Sequence, residues 1–189
     1  MPVVEHAIVR APDYAHCLSY PVALKILAAE TAHKTEAGGV ALGIADRQAF
    51  EENVKVLAGK GQPLVVQRMQ SGLAEAIVGY RDDPVVGPLV LVGAGGILAE
   101  LYNDVVIRLA PVDEAEALEM IAAVKGFAVL RGYRGLPKGN LAALARAVAA
   151  MSHLALVAGR PLGEAEANPL IVKPDGVVAV DALAVMKEA

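Results

Sequence analysis

Short valine-rich runs alternate with longer stretches of helical period along this chain, and that alternation confines it to a mixed α and β architecture. Extended runs are expected at Val3 to Val9, Pro21 to Leu27, Leu64 to Met69, Leu73 to Tyr80 and Pro88 to Val92. Two more, Asn168 to Lys173 and Val177 to Leu183, flank Pro174-Asp175-Gly176. Gln70-Ser71-Gly72 carries a hairpin signal between the runs on either side of it. The helices announce themselves by their caps. Asp46 precedes a stripe of Phe50, Val54 and Leu57 that stops at Gly59 and Gly61. Asp113, with Glu116 behind it, precedes Leu118, Ile121 and Ala122, and Asn140 precedes Leu141, Leu144, Val148 and Met151. The polar stretch Ala28 to Gly39 is expected as a loop.

A length of 189 residues suffices for one ordinary domain or two small lobes. Hydrophobic residues make up 56% but aromatic ones only 4%, with no Trp, so the core has to be assembled from Val, Leu, Ile and Ala in close helix-on-sheet packing. So apolar a small chain also implies a surface covered by a partner. The formal net charge is -4 and the basic residues are scattered, which argues against a nucleic-acid-binding face. A single cysteine, Cys17, rules out an internal disulfide, suits a reducing compartment and is expected as a small core residue. The opening MPVVEHAIVR lacks a signal-peptide pattern, and the apolar run Val85 to Val92 is short and broken by Gly87 and Pro88. A soluble, cytoplasmic protein without a membrane segment is expected.

Lys25 lies inside an apolar strand, Val22-Ala23-Leu24-Lys25-Ile26-Leu27. An ammonium there either reaches solvent or meets an anion, because burying it unpaired is costly. Simple alternation would set it beside Ala23 and Leu27, which are uncomfortable neighbours on a solvated face. His33-Lys34-Thr35-Glu36-Ala37-Gly38-Gly39 joins an imidazole, a cation and glycines, which suits either a group carrier on a moving loop or an ordinary solvated histidine. His6, His16 and His153 have no comparable setting and are expected to be structural or solvated. Gly93-Ala94-Gly95-Gly96 follows a strand, and its amides can cradle a phosphate or serve a plain tight turn; the spacing matches neither a Rossmann nor a Walker A loop.

Glu166-Ala167-Asn168-Pro169 leads into a hairpin that returns to Asp181. A two-residue loop would set Asn168 and Asp181 directly opposite, an oxygen pair of the kind Mg²⁺ prefers, whereas a bulge at Gly176 shifts the register by one. The alternative is that Asn168 caps a turn and Asp181 faces water. Glu75, between Ala74 and Ala76, either orients a metal-bound nucleotide or a phosphorylated side chain, or lines a wet face.

In their order along the chain, YPVALKI, HKTEAGGVALGI, VVQRM, AEAIVGYRDDPVVGP, GAGGILAELYNDVVIRLAP, LRGYRGLP, EANPLIV and VVAVDA resemble the ATP-grasp domain of ADP-forming acyl-CoA synthetases of the acetate-CoA ligase β-subunit type. More distantly the chain is similar to the β subunit of succinyl-CoA synthetase. The resemblance runs from Tyr20 to Met186. It implies an α+β ATP-grasp fold of two lobes with mostly antiparallel, helix-covered sheets. Residues 1–65 would form a small nucleotide-covering lobe and residues 66–189 a larger lobe binding metal and nucleotide.

The resemblance assigns Lys25 to the nucleotide phosphates and Lys34 to the nucleotide-binding set. Gln67, Arg68 and Met69 match the segment whose backbone meets the adenine. Gly95, Gly96 and Glu100 match the loop near the phosphorylated intermediate, and Glu166, Asn168 and Asp181 match the Mg²⁺ site. His33, as a mobile phosphate carrier, and Glu75 form the catalytic set. The implied reaction is acyl-CoA + ADP + phosphate ⇌ carboxylate + CoA + ATP, with ATP/ADP and Mg²⁺ bound here. The partner would be a CoA-binding, acyl-phosphate-forming subunit or set of domains, without which the chain should not complete the reaction; self-association into a homo-oligomer is left open. The family's longer helical stretch ahead of the YPV segment is shortened here, so part of the small lobe is expected to be truncated. A second reading keeps the fold and drops the catalysis: an ATP-grasp remnant serving as a nucleotide-binding or assembly module of a synthetase-like or acetyltransferase protein.

Overall fold

The computed structural model describes residues 1–10, 14–27, 39–59, 62–96, 103–159 and 161–187. The chain divides into two compact units, an N-terminal one of Val4–Gln70 and a C-terminal one of Met1–Val3 with Ser71–Ala189. The expected run Val3 to Val9 is split by that division. Val3 forms a parallel bridge with Ala179, and the strand proper, β1, begins only at His6 (His6–Val9).

The N-terminal unit is an antiparallel sheet in the order β1-β4-β2-β3, with β2 Val22–Ile26, β3 Val40–Ile44 and β4 Leu64–Arg68. Among the described residues one helix, α1 (Arg47–Ala58), covers it. The Asp46 carboxylate accepts the Ala49 N–H at 2.9 Å and so satisfies one of the orphan amides of the first turn. As the stripe predicts, Phe50, Val54 and Leu57 are buried, in one cluster with Val22, Leu24, Ile26, Leu64 and Val66. His16 packs edge-on between the rings of Tyr20 and Phe50, while Cys17 is exposed rather than a core residue.

The C-terminal unit holds a six-stranded sheet in the order β10-β8-β5-β6-β7, with β9 also on β8. Its strands are β5 Ala74–Asp83, β6 Gly87–Ala94, β7 Val105–Leu109, β8 Leu162–Val172, β9 Val177–Ala179 and β10 Ala182–Met186. The helices α2 (Glu114–Ala123) and α3 (Leu141–Ser152) pack on one face, over Ala76, Val78, Val90, Val92, Ala167 and Leu170. Asp113 and Asn140 cap these helices through the Glu116 and Ala143 amides at 2.8 and 2.9 Å. The buried stripe of α2 is Ala117, Met120 and Ile121; Leu118 and Ala122 face outward, one helical step from where the pattern predicts them.

Gln70-Ser71-Gly72 is not a hairpin turn. β4 belongs to the N-terminal sheet and β5 to the C-terminal one, so these residues carry the chain from one unit to the other. Gly72 is needed there because a Cβ would fall 2.4 Å from the Ile171 side chain and 2.6 Å from the Val172 carbonyl. The tight hairpin lies further on, between β5 and β6. Asp83 accepts the Val85 and Val86 amides at 2.8 and 3.0 Å, which hold its carboxyl below the usual carboxylate range, and Gly87 takes a positive φ of 87°.

Candidate functional site

Two groups of candidate residues take shape, one in each unit. In the N-terminal unit every residue of β2 is buried, Lys25 included at 8% exposure. Val22, Leu24 and Ile26 point to α1, so Ala23 and Lys25 occupy the face turned away from α1. The register pairs Ala23 with Gln67 and Lys25 with Val65, which brings Gln67 onto that face as a diagonal neighbour of Lys25. Lys25 and Gln67, both 8% exposed, thus share this face with His6, which stands opposite Gln67 on β1. The Arg68 and Met69 amides donate to the Glu5 and Pro21 carbonyls at 3.0 and 3.1 Å, so an adenine at this segment would have to use its other groups. Arg68 is exposed, with a long contact of 3.9 Å to Glu5. A cavity of about 550 Å³ in this unit lies between α1 and the Tyr14–Tyr20 segment, and none of the predicted site residues lines it.

In the C-terminal unit the turn after β8 decides the register. The Lys173 N–H donates to the Gly176 carbonyl at 2.8 Å, and Val172 faces Val177, so only Pro174 and Asp175 lie outside the closing pair. That is the two-residue loop, and the bulge at Gly176 does not occur. The same register runs on through Leu170↔Ala179 to Ala167↔Ala182 and Glu166↔Leu183. Asn168 therefore stands opposite Asp181, and its N–H donates to the Asp181 carbonyl at 3.1 Å.

A bulge does exist across the other edge of β8. Ala76 faces Leu170 but Val78 faces Ala167, so Asn168 and Pro169 together oppose Ile77. It keeps Ala167 and Leu170 on the helix side while Glu166 and Asn168 look the other way. Asp181, as the partner of Asn168, shares that face turned away from α2 and α3, and so does Glu75, one residue out of step with the buried Ala76.

The glycine turn meets Glu75 at the end of β6. The Gly95 N–H donates to the Glu75 carbonyl at 2.8 Å, and a Cβ on Gly95 would lie 3.1 Å from the Glu75 Cβ. Gly96, at φ 96°, has the Glu75 Oε2 within 3.7 Å of where its own Cβ would be. The Ala94 N–H is held by the Asp104 carbonyl at 3.1 Å. The Ala94 and Gly95 amides are thus tied to neighbouring strands, and a phosphate cradle would have to use amides from Gly96 onward. His33, Lys34 and Glu100 lie outside the described residues.

Among the described residues no three His, Cys, Asp or Glu side chains cluster closely enough to hold a metal ion by themselves. The chemistry of the Asn168–Asp181 pair nevertheless fits Mg²⁺, which commonly takes one or two protein oxygens and completes its shell with phosphates and water. Asp104 and Gly126, which buttress the glycine turn, were not signalled by the sequence, because their contact joins the residue ahead of β7 to a 3-10 helix with no motif in either.

A model of the ATP-grasp domain family matches residues 1–186. The chain belongs to this family. It is 34% identical over 195 residues to the β subunit of acetate–CoA ligase [ADP-forming] I of Pyrococcus furiosus, covering 96% of this chain and 84% of that subunit. It is 35% identical over 186 residues to acetate–CoA ligase [ADP-forming] I of Archaeoglobus fulgidus, but spans only 27% of that longer chain. The fold agrees at a TM-score of 0.81 and 28% identity with an acetyl-coenzyme A synthetase of Ca. Korarchaeum cryptofilum, over 98% of this chain and 85% of that one. That synthetase was solved with coenzyme A and Mg-AMPPCP, its phosphohistidine segment pointing towards the nucleotide-binding site. Relatives of this ATP-grasp chain are thus subunits or domains of ADP-forming ligases, and its two antiparallel, helix-covered sheets are the fold the motifs implied.

Proposed function

We propose that this chain is the nucleotide-handling module of an ADP-forming acyl-CoA synthetase, moving a phosphoryl group between a phosphohistidine and ADP. The observation that carries the reading is the pairing of Asn168 with Asp181 on the sheet face turned away from α2 and α3, which also bears Glu166 and Glu75. Phosphoryl transfer consists mostly of positioning and charge compensation, so a site for it needs cations and hard oxygen ligands in fixed places.

In this reading Asn168 and Asp181, with Glu166 beside them, hold Mg²⁺, which neutralises phosphate charge when bound. Lys25 supplies an ammonium from a strand that burial makes rigid, and Gln67 its polar neighbour. The transferred phosphorus exchanges a bond to an imidazole nitrogen for one to a terminal ADP oxygen, and His33 is the proposed carrier. Glu75 and the glycine turn stand where the phosphorylated side chain would arrive. The N-terminal unit then serves as the nucleotide-covering lobe, and the C-terminal unit as the metal- and nucleotide-binding one. Coenzyme A and the acyl phosphate belong to a partner subunit or further domains, in the cytoplasm.

Isothermal titration with Mg-ADP and Mg-ATP tests the reading. Micromolar binding that disappears in Lys25→Ala is the expected result. A folded protein that binds neither nucleotide overturns it and leaves an assembly module.

A further inference from the structure

Behind the glycine turn, Asp104 and Gly126 converge on a single residue, Ala94. The Asp104 carbonyl takes the Ala94 N–H at 3.1 Å. The Asp104 carboxylate reaches across to the start of the 3-10 helix Lys125–Leu130, where Oδ1 accepts the Lys125 N–H at 3.1 Å and Oδ2 the Gly126 N–H at 2.6 Å. Gly126, so held, faces Ala94 without room for a side chain between them. A Cβ on Gly126 would lie 2.8 Å from the Ala94 Cβ and 3.2 Å from the Asp104 Oδ2, so no larger residue fits without displacing one of them. On the far side Gly95 is fastened to the Glu75 carbonyl at 2.8 Å. The turn is gripped between Glu75 in front and Asp104 with Gly126 behind.

We propose that Asp104 is a positioning residue for phosphoryl transfer: its carboxylate sets where the glycine turn, and with it Gly96 and Glu75, meets the incoming phosphoryl group. A charged carboxylate accepting two backbone amides is a strong and directional clamp. It acts through Gly126 and Ala94 and touches no substrate. This inference rests on the reading of the turn as the phosphoryl end of the site.

The test uses the full chain and the isosteric variant Asp104→Asn. Asparagine keeps the volume but turns an NH₂ toward one of the two backbone amides, so packing is retained while one hydrogen bond is replaced by two facing donors. Amide proton–nitrogen spectra should show the Gly95 and Gly96 resonances displaced and the exchange of the bonded Gly95 amide accelerated about tenfold, with Leu144 in the core of α3 unmoved. Gly126→Ala, which pushes on Ala94 from the same side, should displace the same resonances, and it decides the matter if Asp104→Asn fails to fold. In titrations Asp104→Asn should weaken Mg-ATP about tenfold and Mg-ADP less than about twofold, because only the terminal phosphate reaches the turn. Unchanged Gly95 and Gly96 signals, or equal losses for both nucleotides, overturn the proposal. Should the wild-type chain bind neither nucleotide, the reading of the site falls, and the glycine resonances still judge the clamp.

Discussion

Ser152 shows how much a single buried hydroxyl can hold in this chain. It is fully buried at the end of α3, accepts the Val112 N–H at 3.0 Å and donates to the Ala149 carbonyl at 2.7 Å. Ser152→Ala strips Val112, 2% exposed, of its partner, and an unsatisfied buried amide costs about 1–3 kcal/mol. Urea unfolding should show that loss as a lower midpoint at unchanged slope; an unaltered midpoint would mean that Val112 finds another acceptor. His16 makes a pH-dependent contribution of the opposite kind from an ion pair. Burial against Tyr20 and Phe50 pushes its pKa below the ordinary imidazole value, and Leu18 donates to its Nδ1 at 3.2 Å. A depressed imidazole pKa means that unfolding takes up protons. The contribution is therefore whole above the unfolded value, about pH 6.5, and drains away as the pH falls through the folded one. Urea midpoints measured from neutral to mildly acid pH should decline more steeply in the wild type than in His16→Phe. Parallel declines would remove His16 from the account.

At the scale of elements, what was legible is what is local. Asp46, Asp113 and Asn140 cap helices where the sequence puts them, because a cap needs only its own next three residues. The hairpin expected at Gln70-Ser71-Gly72 failed for the complementary reason. A turn signal reports a change of direction but not which sheet receives the next strand, and here the two strands join different sheets. The α2 stripe slipped because Leu118 and Met120 are equally apolar, and only the packing of the sheet below chooses between them. β7 carries a feature that no periodicity reveals. The Ala94 and Ala110 amide bonds place the hydrogen-bonding groups of residues 104, 106, 108 and 110 toward β6, so the Ile107 carbonyl looks off the edge. Arg108 folds back and donates to it at 3.1 Å. With Val105, Ile107 and Leu109 all exposed on one face, a bare edge would invite pairing with another chain. Arg108→Ala should make the apparent mass in sedimentation rise with protein concentration more than in the wild type. Identical behaviour of the two proteins would show that Arg108 does not guard the edge.

For the molecule as a whole, the candidate residues were legible as two groups, one in each unit. Lys25 stood out because a lysine amid apolar strand residues is chemically conspicuous, and Asn168 and Asp181 because a two-residue turn fixes their register. His33, Lys34 and Glu100 lie outside the described residues, and the clamp of Asp104 on Gly126 spans elements that sequence separation hides. The proposal makes both groups act on one nucleotide, and that claim has a thermodynamic signature. Lys25→Ala should weaken ADP with or without Mg²⁺, since an ammonium meets phosphate directly. Asp181→Ala should weaken it only when Mg²⁺ is present. In Mg²⁺ the two losses should not add: groups that serve one bound ligand show coupling of about 0.5–3 kcal/mol in a double-mutant cycle, whereas distant independent sites add to within a few tenths. A cycle of four titrations, run with and without Mg²⁺, supplies the number. Coupling that appears only with the metal would tie the buried ammonium of one unit to the amide-carboxylate pair of the other through the phosphates they share. Strict additivity in both conditions would mean that Lys25 and Asp181 answer to different ligands, and the common nucleotide would have to be abandoned.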